Sequence, residues 1–268
     1  MQIIMAGGGS SDYGRYVASL GMTKLWSALN EKDYINTYGN LFKRVMVDSG
    51  AYSWNRNFMA GIQGGASKVK LPPLKNYCRD LLQFYIEHDK PGWVLVEMDV
   101  YSNLSMANVD ALANEYMSHI KNATYLRVYH PLLDNGDLSV LKKWLDQGHR
   151  YIGLGNDSRP FMPDIFRLTK DRIKYHGFAC TSYEIVCKYP FYSVDSTTAL
   201  SPAKYGGAFI NSSHRPAKQL HKDRHPLYTK LNNSSYDAKL RHGVDEFYKR
   251  QAEVTKLWAY RGVIWEDD

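Results

Sequence analysis

Cysteine is scarce: Cys78, Cys180 and Cys187 are the only three in 268 residues, too few and too scattered for a disulfide framework. That points to a reducing compartment. Cys180 and Cys187 also stand at a spacing that suits neither a CxxC redox pair nor a zinc knuckle. Long apolar runs are missing too, none reaching the roughly 18 residues that a membrane span needs. The opening Met1-Gln2-Ile3-Ile4-Met5-Ala6-Gly7 lacks the positive n-region of a signal peptide. A soluble, cytoplasmic protein without a membrane partner is therefore expected. Acidic residues are outnumbered, 27 against 34 Lys+Arg, for a net charge of +7 and a pI of about 9.1. With 44% hydrophobic and 13% aromatic residues the chain can bury a core, which excludes disorder.

The basic excess is concentrated. Between Lys204 and Arg241 lie eight Lys/Arg (Lys204, Arg215, Lys218, Lys222, Arg224, Lys230, Lys239, Arg241) against Asp223 and Asp237. His214, His221 and His225 share the stretch, interleaved with Tyr205, Phe209, Tyr228 and Tyr236. A solvated face is the plain reading of such a run. Basic residues mixed with aromatics and Asn/Ser favour contact with a polyanion, nucleic acid before membrane, because no strong basic amphipathic helix is evident.

Eight short β-rich runs punctuate the chain: 3–6, 45–48, 93–99, 125–130, 151–155, 173–178, 191–195 and 207–210. Continuous apolar strands of this kind are buried on both faces, as in a parallel sheet. Helical spacing appears between most of them. Val109, Leu112, Ala113, Tyr116, Met117 and Ile120 keep it; so do Leu138, Leu141, Trp144 and Leu145, with Gly148 as the residue beyond the C-cap. Pro72-Pro73 opens a helix through Leu74, Tyr77, Leu81, Phe84 and Tyr85, and Thr181-Ser182-Tyr183-Glu184 reads as a capping box. A last helix runs roughly from Tyr236 to Tyr260. Eight strands alternating with helices in about 250 residues predict a (β/α)8 TIM barrel, with a doubly wound open sheet as the alternative. Gly7-Gly8-Gly9 makes no G-x-G-x-x-G fingerprint, and no Walker A sequence occurs. The loop from Asn55 to Lys70, rich in Gly, Asn and Lys, is a candidate lid.

A barrel places its chemistry at the carboxyl ends of its strands. Those ends read Asp48-Ser49-Gly50-Ala51-Tyr52, Asp99-Val100-Tyr101, His130-Pro131, Gly153-Leu154-Gly155-Asn156, His176-Gly177-Phe178 and Asp195-Ser196-Thr197-Thr198. One aspartate at a strand end is usually a turn residue. Three of them, each closing an apolar run, point to a site in which one carboxylate serves as nucleophile and another as acid/base, the arrangement that cleaves glycosidic bonds. Gly153 and Gly155 leave backbone open to a flat ligand, and Tyr52 with His176 could supply stacking faces. The plainer readings are a turn for the glycines and a core histidine for His176.

These strand ends resemble, in order, those of the tRNA-guanine transglycosylase superfamily, and most closely its phage-type branch that exchanges guanine in DNA for a 7-deazaguanine such as preQ0. The resemblance spans roughly residues 2 to 211. It is carried by Val47-Asp48-Ser49-Gly50-Ala51-Tyr52-Ser53, Met98-Asp99, Tyr151-Ile152-Gly153-Leu154-Gly155, His176-Gly177-Phe178 and Tyr189-Pro190-Phe191-Tyr192-Ser193-Val194-Asp195-Ser196-Thr197. It implies that Asp195 is the nucleophile at C1′ and Asp48 the general acid/base. Asp99 would read the donor edge of guanine. Ser49, Gly50 and the backbone of Gly153-Leu154-Gly155 would line the base site, Tyr52 and His176 would sandwich the ring, and His130 stands where the tRNA enzymes have a Gln. It further implies DNA with a flipped guanine and a free 7-deazaguanine base as partners, no cofactor, and action in the cytoplasm of a phage's bacterial host.

The chain departs from the tRNA enzymes in lacking their CxCxxC-plus-His zinc cluster, so no metal is expected and the substrate shifts toward another nucleic acid. The expected organisation is a barrel core over 1–211, then a basic segment and a helix completing the barrel over 212–268, with Lys204, Arg215, Lys218, Lys222, Arg224 and Lys230 contacting nucleic acid. Exchange in tRNA, an ordinary glycosidase, and a catalytically silent barrel that only binds nucleic acid are the alternatives.

Overall fold

A computed structural model describes residues 1–7, 11–62, 71–101, 103–169, 172–200, 231 and 233–266. Eight parallel strands close into a barrel in chain order: β1 (Gln2–Ala6), β2 (Lys24–Ser27), β3 (Val45–Asp48), β4 (Trp93–Val96), β5 (Thr124–Tyr129), β6 (Tyr151–Leu154), β7 (Lys174–Gly177) and β8 (Ser193–Ser196). Among the described residues the helices are α1 (Ser11–Ser19), α2 (Lys32–Tyr38), α3 (Ala51–Ile62), α4 (Leu74–Glu87), α5 (Met106–His119), α6 (Ser139–Asp146), α7 (Met162–Thr169), α8 (Tyr183–Lys188) and α9 (Tyr236–Tyr260). At least one helix follows every strand, the rhythm of a (β/α)8 TIM barrel.

The chain divides into two compact units, one of Met1–Leu25, Leu41–Lys43 and Tyr129–Asp268, the other of Trp26–Asn40 and Arg44–Val128. In the first, β1 pairs with β2 and with β8, and β7 pairs with β6 and β8. The register sets Gly153 beside His176 and His176 beside Ser193, while Ile4 stands beside Asp195. Helix α9 clasps the β1 end of this sheet. Gln251 accepts the Ile3 N–H at 2.6 Å, the Thr255 hydroxyl donates to the Met1 carbonyl at 3.0 Å, and Trp258 Nε1 donates to the Val186 carbonyl at 2.8 Å. A Cβ on Gly243 would stand 2.3 Å from the Ala199 carbonyl oxygen, so only glycine permits this approach of helix to loop. Leu240, Val244, Phe247 and Val254 form the buried stripe, each contributing about 1.5–3 kcal/mol of burial.

In the second unit β4 lies between β3 and β5. Tyr85 on α4 is fully buried beneath them, and its O–H reaches the carbonyls of Val96 (2.7 Å) and Val47 (3.3 Å). A phenol there fills core volume while satisfying its one donor.

Several expectations are corrected. The run 207–210 lies outside the described residues; the eight strands are complete by Ser196, and the one that sequence patterning missed is β2. It begins at Lys24, fully buried, whose ammonium donates to the carbonyls of Met5 (3.1 Å), Gly7 (2.6 Å) and Leu25 (3.0 Å). Three donors meet three acceptors, which makes burial of the charge tolerable and hides the strand from an apolar-run search. The proposed lid is helical through Ile62 as the end of α3, and 63–70 lie outside the described residues. The cap of α8 is Ser182, one residue later than the capping box predicts, accepting from the Ile185 N–H. The helix at the end of the chain agrees with expectation at both ends, while the boundary at residues 211/212 lies outside the described residues.

Candidate active site

Asp195 sits on β8, and the alternation of a strand puts Ser193 on the same face two residues earlier. Asp195 is 9% exposed. Its Oδ1 accepts the backbone N–H of Ala179 at 2.9 Å and lies 3.3 Å from His176 Nε2. Oδ2 takes part in neither contact. Ala179 delivers its N–H from a left-handed conformation, φ 51°, which costs an L-residue about 1–2 kcal/mol. Its own carbonyl accepts from Arg159 at 3.0 Å, so the loop after β7 is held on both sides.

His176 is fully buried, with Nδ1 2.8 Å from Ser193 Oγ and the edge of Phe178 packed at 4.4 Å between ring centroids. Ser193 Oγ is in turn 2.6 Å from the hydroxyl of Tyr151. The expected role of His176 as one side of a base sandwich is therefore corrected: no ring face reaches the surface, and both nitrogens look inward to Ser193 and Asp195. A Cβ on Gly177 would come within 2.7 Å of Phe191 and 2.9 Å of Cys180 Cβ, so the glycine of the His176-Gly177-Phe178 motif serves packing. Burial raises the Cys180 thiol, against the pull of Arg159, which leaves it a neutral packing group.

His130, after β5, pairs through Nδ1 with Asp157 Oδ1 at 3.0 Å, and both side chains are about a quarter exposed. A Cβ on Gly155 would meet the His130 ring and Asp157 Oδ1, each at 2.7 Å, which is why a glycine stands there. The Gly155 N–H donates to the Tyr129 carbonyl (3.2 Å), the Gly155 carbonyl accepts from Ser158 (3.0 Å) and the Leu154 carbonyl accepts from Phe178 (3.2 Å). The 153–155 backbone is buried and engaged in sheet and turn, so the expectation of open groups there is corrected as well.

The second unit carries the Asp48 motif. Asp48 ends β3 and its Oδ1 accepts the Gly50 N–H at 3.2 Å, an Asx turn. Gly50 has φ 78°, and a Cβ there would lie 2.5 Å from Leu29, so glycine is required twice over. Ser49 is fully buried, its carbonyl accepting from the Tyr77 hydroxyl at 2.5 Å. Burial, and after it the Asp48 charge, holds the Tyr77 phenol far above its ordinary range, which keeps it a donor. Ser49 and Gly50 thus shape the turn, while Tyr52 on the first turn of α3 is 73% exposed and presents a free aromatic face. Asp99 lies half-buried after β4, between the fully buried Met98 and Val100.

Sequence reasoning missed a charge cluster beside it. Arg127 on β5 is 2.6 Å from Glu97 through Nε and 2.6 Å from Asp110 through its terminal nitrogen, and Glu97 also accepts the Val128 N–H at 2.7 Å. Burial outweighs the opposing pull of Arg127 and pushes the Glu97 carboxyl up to about 7. The signal for both residues was present as charge inside an apolar run.

Lys204, Arg215, Lys218, Lys222, Arg224 and Lys230, with His214, His221 and His225, lie outside the described residues. Among the described residues no group of three or more His, Cys, Asp or Glu is arranged to hold a metal ion, and no helix is long and apolar enough to cross a membrane. All three cysteines are free thiols. No family model matches this chain, and no curated protein or solved structure does either.

Proposed function

We propose that this chain is a pentosyltransferase that exchanges guanine in DNA for a free 7-deazaguanine base through a covalent glycosyl-aspartate. The observation that carries the reading is the setting of Asp195. Its Oδ1 accepts the Ala179 N–H, the buried His176 ring stands 3.3 Å away, and the side chain lies at the carboxyl end of a barrel strand with Oδ2 left to react.

In this reading an Asp195 oxygen attacks C1′ of the deoxyribose as the C1′–N9 bond breaks. Asp48, in its acid form, gives its proton to the departing guanine. The incoming base then attacks C1′ with its N9, loses the N9 proton to the Asp48 carboxylate, and displaces Asp195 from the ester. Two inversions give retention, and one glycosidic bond replaces another without ATP. Asp99 takes the two donors of the guanine N1–H and 2-amino edge, since an ionised carboxylate only accepts. Exposed Tyr52 offers a stacking face, and His130 oriented by Asp157 offers a polar contact to the base. The flipped base leaves the duplex stack at a cost of a few kcal/mol. Phosphate contacts from the Lys204–Arg241 stretch are assigned to offset it.

The test is incubation of the purified protein with duplex DNA, single-stranded DNA or tRNA and a 7-deazaguanine base, followed by nucleoside mass spectrometry. A 7-deaza nucleoside in DNA, absent with Asp195→Asn, is the expected result. Incorporation into tRNA alone overturns the substrate and keeps the chemistry. Binding without exchange on any polymer overturns the enzyme reading.

A further inference from the structure

We propose that α3 and the first turns of α4 form a surface for an unpaired nucleic-acid strand, separate from the Lys204–Arg241 stretch. The proposal rests on the reading of nucleic acid as the substrate and does not need the chemistry at Asp195.

Charge is set by the sequence. From Ser49 to Arg79 the chain has no Asp or Glu and carries Arg56, Lys68, Lys70, Lys75 and Arg79, with Asp48 and Asp80 as its flanks. Lys68 and Lys70 lie outside the described residues. A run of one sign without carboxylates attracts a polyanion.

The fold gathers this stretch at one strand end. The Trp54 N–H donates to the Gly50 carbonyl at 2.9 Å, so α3 starts at the carboxyl end of β3. The Tyr77 hydroxyl donates to the Ser49 carbonyl at 2.5 Å, so the start of α4 returns to the same place. Helix α4 is the one that packs on the strands, through Tyr77, Leu81, Phe84 and Tyr85, whereas among the described side chains of α3 only Ala51 and Trp54 are buried. Helix α3 is thus an addition to the strand–helix repeat, standing at the strand ends where a barrel keeps its substrate. Asn103 donates a side-chain hydrogen bond to Asn55 and ties α3 to the loop after β4.

The open side of α3 suits an unpaired strand. Tyr52, Arg56 and Met59, at i, i+4 and i+7, share one helix face and are all exposed. Phe58, 39% exposed, is stacked on buried Trp54 with 5.0 Å between ring centroids, which holds its ring in place before any ligand arrives. Aromatic faces take bases that have left their stack, and nearby cations take the phosphates. Lys75 and Arg79, exposed and one turn apart on α4, extend the charge, and the solvent-exposed contact of Arg79 with Asp80 at 3.4 Å is too weak to cancel it. A duplex hides the faces of its bases, and an anionic membrane has none to offer.

Binding of fluorescent oligo(dT), which holds no guanine, can be read by anisotropy over a range of salt for the full chain and its variants. Arg56→Gln and Lys75→Gln should each lessen the slope of log affinity on log salt by about 0.7, the share of one single-strand phosphate. Phe58→Leu keeps the apolar contact with Trp54 and should weaken binding at least about fivefold with the slope unchanged. Thermal unfolding checks the fold of each variant, and the two charge variants, at exposed positions, carry the test if Phe58→Leu does not fold. Wild-type slopes in both charge variants overturn the proposal even where base exchange is found. So does a preference for duplex over oligo(dT), or binding to anionic phospholipid vesicles that the same variants abolish while oligo(dT) binding is unaffected. A chain that binds no nucleic acid loses the polymer reading and this surface together. Oligo(dT) binding weakened by the variants, in a chain that exchanges no base, keeps the surface and sinks the transglycosylase.

Discussion

Two histidine–aspartate pairs lie after or within strands of the same unit, and they differ in depth and in the nitrogen used. His176 meets Asp195 through Nε2 with the ring fully buried, whereas His130 meets Asp157 through Nδ1 with both partners about a quarter exposed. The deep pair is assembled from three strands and a strained loop residue. The shallow pair is assembled from two loop residues around Gly155. Water screens the second and leaves it worth a few tenths of a kcal/mol to about 1. In the first, cut off from water, the carboxylate is held by the Ala179 N–H while His176 Nε2 lies buried without a hydrogen bond, a state that costs about 1–3 kcal/mol. The same two residue types therefore yield a fixed carboxylate in one place and an adaptable contact in the other.

The comparison breaks most sharply at the deep carboxylate. Asp195→Asn keeps shape and hydrogen bonding and removes the nucleophile, so base exchange should fall by at least about a thousandfold while DNA binding persists, read by nucleoside mass spectrometry and by a binding titration. In the second unit the Glu97–Arg127 pair extends the argument about depth. Arg127→Met leaves Glu97 buried without its cation and should cost about 3–5 kcal/mol in chemical denaturation; a loss below about 1 kcal/mol would mean that water reaches the pair.

Glu97 also predicts a pH slope. Its folded-state value, pushed up to about 7, lies above that of an unfolded Glu, so the folded chain holds the extra proton between roughly pH 4.5 and 7. Its contribution to stability is present at the acid end of that window and is lost as pH rises through about 7, by up to about 3 kcal/mol. Denaturation series at several pH values should show this fall, and Glu97→Gln should flatten it. The smallest effect belongs to the shallow pair. Asp157→Asn should change stability by less than about 1 kcal/mol and raise KM for the base severalfold with kcat nearly unchanged; a collapse of kcat would place His130 with the reacting groups.

Much of the barrel was legible from apolar runs and helical spacing, since a strand buried on both faces must be apolar and a helix laid on it must repeat every 3.6 residues. Helix α9 was readable at both ends for this reason. The failures share one cause. Lys24, Glu97 and Arg127 are charges inside strands or beside them, and a local pattern cannot anticipate that three carbonyls or an opposite charge will arrive from distant chain segments. His176 failed in the same way: its position at a strand end was read correctly, its burial and its partners were not. The turn after Asp48 was legible only as the plain reading of an aspartate that ends a strand; that Ser49 and Gly50 shape it was not read from the sequence.

By itself the sequence determined the alternation of strands and helices, the glycines that its turns require, and the aspartates that close its strands. Only the tertiary structure decided that β2 completes the barrel, that Gly155 makes room for His130 and Asp157, and that Tyr151, Ser193, His176 and Ala179 converge on Asp195. Periodicity and turn chemistry act over a few residues, whereas a buried polar group is settled by whichever partner the folded chain brings within about 3 Å of it.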